Sequence, residues 1–213
     1  MSQLVLAFEL SGNLTTAALG HHAEIIGHDF SGSRGRGLLT ATDHLLERQG
    51  ASREQIGAVL VGVGPGSYTG LRIACSAALA LSMALDIQAH GINSFEAAAF
   101  AAKVEQPVHL LLDAYRKQVY HACYQRQGDQ VITLQDAQVI EQAEAIGVVA
   151  SAQSYLGDSR FAGPGATLIG KSETTASALM ELAFARGLQA DGSGLDGALP
   201  ATPLYLRPAA FRS

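Results

Sequence analysis

The sequence predicts a mixed α/β fold built from two lobes. The first observation is the order of periodic segments up to residue 104, in which three strands precede alternating helices and strands. The second is that a similar order restarts near residue 105, although the letters themselves do not repeat. The third is that 48% of the 213 residues are hydrophobic, which suffices for a substantial core. We therefore expect an N-terminal lobe over 1–104 and a smaller C-terminal lobe with a docking tail over 105–213.

The N-terminal lobe opens with a predicted meander of three strands. The segments QLVLAFEL, LTTAALG and AEIIGHDF are apolar or alternate, and Gly12, Asn13 and Gly20 lie in the turns between them. After the glycine-rich loop 31–37, the chain alternates between helix and strand. These segments are predicted, in order, as a helix over 38–49, a buried strand over 56–64, a helix over 71–85, a strand over 87–92 and a helix over 94–104 capped by Ser94.

The C-terminal lobe is predicted to begin with another meander. Its later segments are a helix, a strand entering a glycine turn, an amphipathic helix ending at Gly187, and an extended tail, PLYLRPAAFRS. The predicted segments are strands within 108–116, 118–128 and 129–140, a helix over 141–151, the strand and turn RFAGPGA over 160–166, a helix within 173–187 and the tail 203–213. The shared order of elements makes the second lobe a pseudo-repeat of the first.

Charge and cysteine content exclude several functions. The formal net charge is -5, which argues against independent nucleic-acid binding because such binding needs clustered lysine and arginine. Cys75 and Cys123 lie in apolar segments and are predicted to be buried free thiols. None of the seven histidines has the H-x-x-x-H or H-E-x-x-H spacing of a chelating pair, so we predict no metal site and no catalytic residue.

The sequence also predicts a cytoplasmic protein. Its first residues, MSQLVLAFELSG, have no basic segment of the kind that begins a signal peptide. The longest apolar run, 73–85, is shorter than a bilayer-spanning helix needs to be, so no membrane association is expected.

The segment GVGPGSYTG (62–70) admits two interpretations. It has no lysine where a Walker loop needs one, although free backbone N–H groups at a helix start can bind an anion. The alternative is a structural turn, in which Pro65 shapes the chain, Ser67 or Thr69 caps the next helix, and Gly70 permits a close backbone approach. The residues of this predicted turn are Gly64, Pro65, Gly66, Ser67, Thr69 and Gly70.

The helix after the turn is apolar around almost its whole circumference. A helix with one core contact needs an apolar stripe of only about 100°, so this one is expected to be buried on two sides. Central burial within the chain is one explanation, and a partner protein that covers the helix pair 38–49 and 71–85 is the other. The predicted interface residues are Leu38, Leu45, Arg72, Cys75, Ala78, Leu79 and Ser82.

Three motifs make the chain resemble the TsaB (YeaZ) family. They are GVGPGSYTGLRIACSAALALSMAL at 62–85, DAYRKQVYHACY at 113–124 and PLYLRP at 203–208. The resemblance implies a two-lobed actin-like (ASKHA) architecture in which each lobe is a mixed ribonuclease-H-like sheet with helices. It also implies a role in forming threonylcarbamoyladenosine beside the tRNA anticodon.

By the same resemblance, the protein is a non-catalytic scaffold. TsaB-like proteins form a heterodimer with the catalytic subunit TsaD through the helix pair, homodimerise through the same face when alone, and join the ATPase TsaE in a larger complex. The tRNA is then reached only through the complex. No cofactor is assigned to the chain itself, and ATP or ADP with Mg²⁺ is expected only at the level of the complex.

The first strand departs from the family pattern. Glu9 replaces the aspartate that orients Mg²⁺ in actin-like ATPases. The candidate nucleotide-binding residues are Glu9, Ser11, Gly12, Asn13 and Asp113. The alternative function is accordingly a weak ATPase or a glycoprotease-type peptidase of the actin-like superfamily.

Overall fold

Two sheets, which share the same order of five strands, form the core of the protein. A computed structural model describes residues 3–33, 37–161, 166–172 and 174–206. The strands of the first sheet are β1 (Leu4–Glu9), β2 (Leu14–His21), β3 (Glu24–Ser33), β4 (Ile56–Gly62), β5 (Gln88–Ile92) and the short β11 (Leu199–Pro200). Those of the second are β6 (Val108–Asp113), β7 (Gln118–Gln127), β8 (Gln130–Glu141), β9 (Ser154–Leu156) and β10 (Thr167–Gly170).

The sheet order identifies each half as ribonuclease-H-like. The first sheet runs β3-β2-β1-β4-β5, with β11 added beyond β5, and the second runs β8-β7-β6-β9-β10. In each, an antiparallel meander supplies three strands, and the next two join parallel to its first strand. The predicted pseudo-repeat of architecture is confirmed by this correspondence.

Within the described residues, five α-helices cover the sheets in layers. They are α1 (Leu38–Arg48), α2 (Tyr68–Leu85), α3 (Ser94–Ala101), α4 (Gln142–Ser151) and α5 (Ala176–Ala185). Helices α1 and α2 bury their inner sides on one face of the first sheet. Helices α3 and α5 cover the opposite face, and α3 also packs on the second sheet. Helix α4 lies on the far face of the second sheet.

Most predicted segments are confirmed, and three differ. Helix α2 starts at Tyr68 rather than residue 71, and Asn93 caps α3 in place of Ser94, accepting hydrogen bonds from the N–H groups of Phe95 and Glu96. The predicted strand at 160 is instead part of a 3-10 turn over Ser159–Phe161, and residues 162–165 of that segment lie outside the described residues. The strands β9 and β10 were not predicted.

The end of the chain returns to the first lobe. Helix α5 packs on the first sheet with Leu179, Met180 and Leu182 fully buried, and β11 pairs antiparallel with β5. The second sheet therefore occupies only the first part, residues 108–170, of the range 105–213, which the sequence prediction treated as one lobe. The amphipathic pattern of α5 shows that the helix has a buried side, but it does not show which sheet receives it.

Helix α2 has one unusual property for a core helix. Its 18 residues are long and apolar enough to meet the length and composition of a membrane-spanning helix, which the run 73–85 alone did not. One side of the helix packs on β4, β1 and β5, with Leu71, Ala74 and Ala78 fully buried. Only 28% of the helix is buried, so the other side lies on the surface.

Candidate functional site

The glycine turn after β4 folds over the end of β1. The Ser67 N–H donates a hydrogen bond to the Ser11 carbonyl oxygen at 2.7 Å. A Cβ on Gly66 would collide with the backbone of Ser11, and a Cβ on Gly70 would collide with the carbonyl group of Leu10. Gly66 and Gly70 are therefore both needed for close backbone contact, which the structural interpretation of this motif expected of Gly70 alone.

The same turn starts helix α2. Ser67 is the N-cap, and its Oγ accepts a hydrogen bond from the Gly70 N–H at 3.2 Å. Thr69, the other candidate cap, lies exposed on the first turn of the helix. Gly64 adopts a φ of 102°, which glycine reaches without a steric penalty, and the buried Pro65 follows it.

Glu9 is a buried carboxyl group held beneath this turn, with a relative exposure of 1%. Its Oε1 accepts a hydrogen bond from the Ser11 N–H, and its Oε2 accepts one from the Ser94 Oγ at 2.7 Å. The Ser94 Oγ accepts in turn from the Gly64 N–H at 3.1 Å. Burial raises the pKa of Glu9 despite these hydrogen bonds, because desolvation disfavours the charged form.

This environment does not fit a magnesium nucleotide at Glu9. Mg²⁺ binds ionised, accessible carboxylates and keeps several waters, whereas both oxygens of Glu9 are occupied and buried. Ser11 is buried against the glycine turn, Gly12 is half-buried and Asn13 is exposed. Nucleotide binding by these residues stays a prediction, and the structure offers no carboxylate there to orient a metal ion.

Asp113, the remaining candidate, lies exposed at the end of β6. Its Oδ2 pairs with Arg160 at 2.9 Å, and its Oδ1 accepts from the Tyr115 N–H at 2.8 Å. Desolvation is the largest single influence and raises the pKa of Asp113, but the hydrogen bonds from Arg160 and the Tyr115 N–H, together with the Arg160 charge, outweigh it, so the pKa is lowered. Asp113 is therefore ionised and engaged by residues of its own lobe rather than by Glu9.

The hairpin after Asp113 has a strained backbone that sequence reasoning missed. Tyr115, Arg116 and Lys117 have φ angles of 59°, 57° and 62°, in the left-handed region. Each such residue costs about 1–2 kcal/mol when it is not glycine. All three side chains are exposed, so this turn presents two basic groups to solvent. No glycine or asparagine occurs at 115–117, so the usual sequence signal for this conformation is missing.

A row of polar side chains, His121, His109 and Cys123, lies across the second sheet. The spacing of these residues in the sequence did not predict it. His109 Nδ1 lies 3.0 Å from His121 Nε2, and His109 Nε2 lies 3.7 Å from Cys123 Sγ. Burial lowers the pKa of His121 to about 4, with a further contribution from His109. Within the described residues no set of three His, Cys, Asp or Glu side chains is arranged to hold a metal ion. These three side chains thus form a neutral hydrogen-bonded network on the sheet.

The outer side of α2 is an exposed apolar surface. Leu79 is 42% exposed and Met83 is 85% exposed, and Ser76, Ala80 and Ala84 lie exposed beside them. On the neighbouring helix α1, Leu39 is 56% exposed. Because α1 and α2 bury their inner sides on the same face of the first sheet, these side chains form part of one outer surface.

Four of the seven predicted interface residues do not belong to this surface. Leu38, Leu45, Cys75 and Ala78 are at most 3% exposed and face the sheet in the single chain, so their contact with a partner stays a prediction that this surface does not support. Helical spacing alone could not separate the two sides of a helix that is apolar all round. The other three differ among themselves. Arg72 and Leu79 are exposed, whereas Ser82 is half-buried and donates a hydrogen bond to the Ile87 carbonyl oxygen.

The described part of the tail, residues 203–206, lies next to the start of α2. The Leu204 N–H donates to the Val63 carbonyl oxygen at 2.8 Å, and the rings of Tyr205 and Tyr68 lie 4.8 Å apart. Arg72 donates from Nε to the Tyr205 hydroxyl at 3.0 Å while its guanidinium lies over the Tyr68 ring. An aromatic and arginine cluster thus borders the start of the α2 surface, and residues 207–213 lie outside the described part of the tail.

Together these features define a class of protein: a two-lobed actin-like fold with a structural glycine turn, no fitting metal site at Glu9, and an exposed apolar helix. Comparison with known proteins makes this class more specific. The family model of TsaD, tRNA N6-adenosine threonylcarbamoyltransferase, matches residues 35–186, which is well over half of the chain. The chain therefore belongs to this family, as a TsaB/YeaZ-type member.

Individual relatives agree with this assignment. The chain is 30% identical over 112 residues to the tRNA threonylcarbamoyladenosine biosynthesis protein TsaB of Bacillus subtilis (strain 168), a match that covers 51% of the chain and 49% of that protein. It is 39% identical over 70 residues to the uncharacterized protein ML0378 of Mycobacterium leprae (strain TN), covering 33% of the chain and 19% of that protein. The chain thus spans about half or less of the length of these relatives.

Two solved structures of proteins from Pseudomonas aeruginosa share the fold over nearly the whole chain. A protein with similarity to peptidase YeaZ superposes with a TM-score of 0.77 at 25% identity, covering 96% of this chain and 100% of that one. YeaZ itself superposes with a TM-score of 0.71 at 23% identity, covering 95% and 99%. The actin-like fold predicted from the sequence is confirmed.

Proposed function

We propose that the protein is a non-catalytic scaffold subunit in tRNA threonylcarbamoyladenosine biosynthesis, and that it works by binding TsaD. The observation that carries the proposal is the outer side of α2, where Leu79 and Met83 are exposed on a helix whose inner side packs on the first sheet. Exposed apolar patches of this kind mark interaction sites in water-soluble proteins. The names of the family and of the Bacillus relative supply the pathway.

The energetics favour a partner on this surface. Full burial of a leucine or methionine side chain contributes about 1.5–3 kcal/mol relative to exposure. Met83 has most of that area to gain, at 85% exposed, and Leu79 about half, at 42%. The exposed Ser76, Ala80 and Ala84 are small, so a partner helix can approach closely between the larger side chains.

The site chemistry supports a scaffold more than an enzyme. Glu9 accepts hydrogen bonds from Ser11 and Ser94, and Asp113 forms an ion pair with Arg160. Burial raises the pKa of Cys75 to about 11. None of these groups is therefore poised for proton or acyl transfer. In this proposal TsaD supplies the catalytic centre and contacts the tRNA, TsaE joins the larger complex, and ATP or ADP with Mg²⁺ acts there. The complex is cytoplasmic, and the chain alone homodimerises through the same surface.

The experiment is a mass measurement on mixtures with TsaD from the same organism. Light scattering after gel filtration should show a complex of the native chain with TsaD. Leu79→Glu should abolish it, because the new carboxylate would be buried without a partner. The matched control is Leu134→Glu, at a leucine that is 49% exposed on β8 of the other lobe, and it should leave the complex intact. Failure of the native chain to associate with TsaD, or equal effects of the two variants, would refute the proposal.

A further inference from the structure

A cavity opens between the two lobes, on the side of the first sheet that α3 and α5 cover. Its volume is about 400 Å³. Small-molecule sites in proteins commonly have volumes of about 300–1,000 Å³, so this cavity suits a small molecule rather than a protein segment. The turn between β2 and β3, the end of α3, the end of β7 and the second half of α5 all contribute to its lining.

Two aromatic rings form the apolar part of the cavity. Phe100 of α3 is 5% exposed, and Phe184 of α5 is half-buried, with Ile25 of β3 beside them. Gly20 of β2 leaves the space that Phe184 occupies, because a Cβ at Gly20 would lie only 2.9 Å from the Phe184 Cζ. Both rings are therefore held by regular elements, and the apolar wall exists before any ligand arrives.

Arg126 brings a fixed positive charge to the same cavity. Its Nε donates to the Gly128 carbonyl oxygen at 2.7 Å, and its Nη1 donates to the Phe100 carbonyl oxygen at 3.0 Å. The guanidinium also lies over the Phe100 ring, 4.1 Å from the ring centroid. These contacts hold the group in one place and leave Nη2 available to an anion.

Lys103 and Glu181 carry opposite charges into the cavity without neutralising each other. Neither side chain forms an ion pair or a hydrogen bond with any residue that the structure describes. Lys103 is exposed and Glu181 is half-buried. Because the two groups line one cavity and are separated, a ligand that carries both signs of charge can satisfy both.

Two residues at the rim have a strained backbone. Ala23 has a φ of 64° and Lys103 a φ of 55°, both in the left-handed region. This conformation is unfavourable for residues other than glycine, and residues held in it are concentrated at ligand-binding and active sites. The conformation at Lys103 ends α3, and the Lys103 N–H donates to the Phe100 carbonyl oxygen at 3.2 Å. The lysine is therefore held next to the Arg126 guanidinium, which bonds the same oxygen.

We propose that this cavity binds a small zwitterion with an apolar side chain, of the chemical class of the apolar α-amino acids. The ammonium group of the ligand pairs with the Glu181 carboxylate. Its carboxylate pairs with Lys103 and with the free Nη2 of Arg126, and its side chain packs on the rings of Phe100 and Phe184.

The charges of the cavity favour a zwitterion over a ligand with one charge. A simple acid would leave Glu181 without a counterion beside a second negative group. A simple amine would leave Lys103 and Arg126 without an anion. Only a ligand with both groups pairs all three side chains while it covers the aromatic wall.

NMR titration with L-phenylalanine and L-leucine tests the proposal. Saturable shifts should appear at the amides of the cavity residues. Lys103→Gln and Glu181→Gln should each weaken binding at least about threefold, as expected for the loss of a partly exposed charge pair. The control is Lys171→Gln, at an exposed lysine that does not line the cavity, and it should leave the affinity unchanged.

Ligands with a single charge test the two ends of the site separately. Hydrocinnamate lacks the ammonium group of L-phenylalanine, and phenethylamine lacks its carboxylate. Both should bind the native chain more weakly than L-phenylalanine. Glu181→Gln should not weaken hydrocinnamate binding, and Lys103→Gln should not weaken phenethylamine binding. The proposal is overturned if neither amino acid gives saturable shifts at millimolar concentration, if a singly charged analogue binds as tightly as L-phenylalanine, or if both variants bind L-phenylalanine like the native chain.

This inference and the proposed function stand or fall separately. The cavity lies on the α3 and α5 face of the first sheet, whereas the proposed TsaD-binding surface belongs to helices on the opposite face. Lys103→Gln and Glu181→Gln should therefore leave the complex with TsaD intact in light scattering. Leu79→Glu should leave amino-acid binding intact.

Discussion

Replacing Gly70 by alanine tests whether the glycine motif is a structural turn. A Cβ at this position would overlap the Leu10 carbonyl oxygen and lie 3.1 Å from its carbon and 3.3 Å from the Leu10 Cβ. Non-bonded carbon and oxygen atoms normally approach no closer than about 3.3 Å. Since the obstructing group is backbone at the end of a fully buried strand, it cannot rotate away, and either β1 or α2 must shift.

The magnitude follows from two opposing effects. Alanine is favoured over glycine within a helix by about 0.5–1 kcal/mol. Overpacking in a well-packed region costs roughly 1–3 kcal/mol, and more when backbone must move. We therefore expect Gly70→Ala to lower the free energy of unfolding by about 2 kcal/mol, which corresponds to a fall in Tm of roughly 4–8 °C in a domain of this size.

A second helical glycine provides the matched control. Gly147 lies within α4, and a Cβ there would meet nothing within 4 Å. Gly147→Ala should therefore raise the free energy of unfolding by up to about 1 kcal/mol. Urea unfolding, monitored by circular dichroism, measures the free energy of unfolding of both variants. If Gly70→Ala is as stable as Gly147→Ala, the start of α2 can accommodate a Cβ at position 70, and the structural interpretation of the turn would be wrong.

Three further predictions concern Glu9, the cysteines and the tail. Because burial raises the Glu9 pKa, the folded state holds a proton that the unfolded state loses above about pH 4.5, so this group's contribution to stability falls as the pH rises from there. Glu9→Gln should remove that fall when the free energy of unfolding is measured by urea titration at pH 5 and pH 8. An unchanged dependence of the free energy of unfolding on pH would contradict the prediction. Burial raises the pKa of Cys75 to about 11 and also raises that of Cys123, so both thiols should react with a disulfide reagent only as fast as the chain opens; labelling at the rate of a free thiol would refute this. Tyr205→Ala should speed proteolysis of the C-terminal segment, whereas Tyr205→Phe, which loses the hydrogen bond from Arg72 and keeps the ring, should change it less.

The strong periodic segments explain why most of the fold could be predicted. Strands β1 and β4 are fully buried runs, and α1 has a clear apolar stripe, so pattern alone located them. The parallel strands β9 and β10 have three and four residues and no alternation, which is too little signal for a prediction. The position of β9 depends on pairing with β6, a segment far away in sequence, and β10 in turn pairs with β9.

The site was less predictable because it depends on which side each residue faces. Leu79 and Cys75 are one helical turn apart and equally apolar, yet one faces solvent and the other the sheet. Ser94 looked like a helix cap, but its hydroxyl group is committed to Glu9, and Asn93 caps the helix instead. Such tertiary contacts override the local preference of a residue type for a position in a helix. The spacing of residues within one segment cannot predict them.

Methionine oxidation in the presence of TsaD tests the central claim most directly. Met83 is 85% exposed on the outer side of α2, whereas Met180 is fully buried in α5 and serves as an internal reference. At a chain concentration too low for self-association, dilute peroxide should oxidise Met83 much faster than Met180. Saturating TsaD should then protect Met83 and leave the rate at Met180 unchanged. An oxidation rate at Met83 that is the same with and without TsaD would contradict the account.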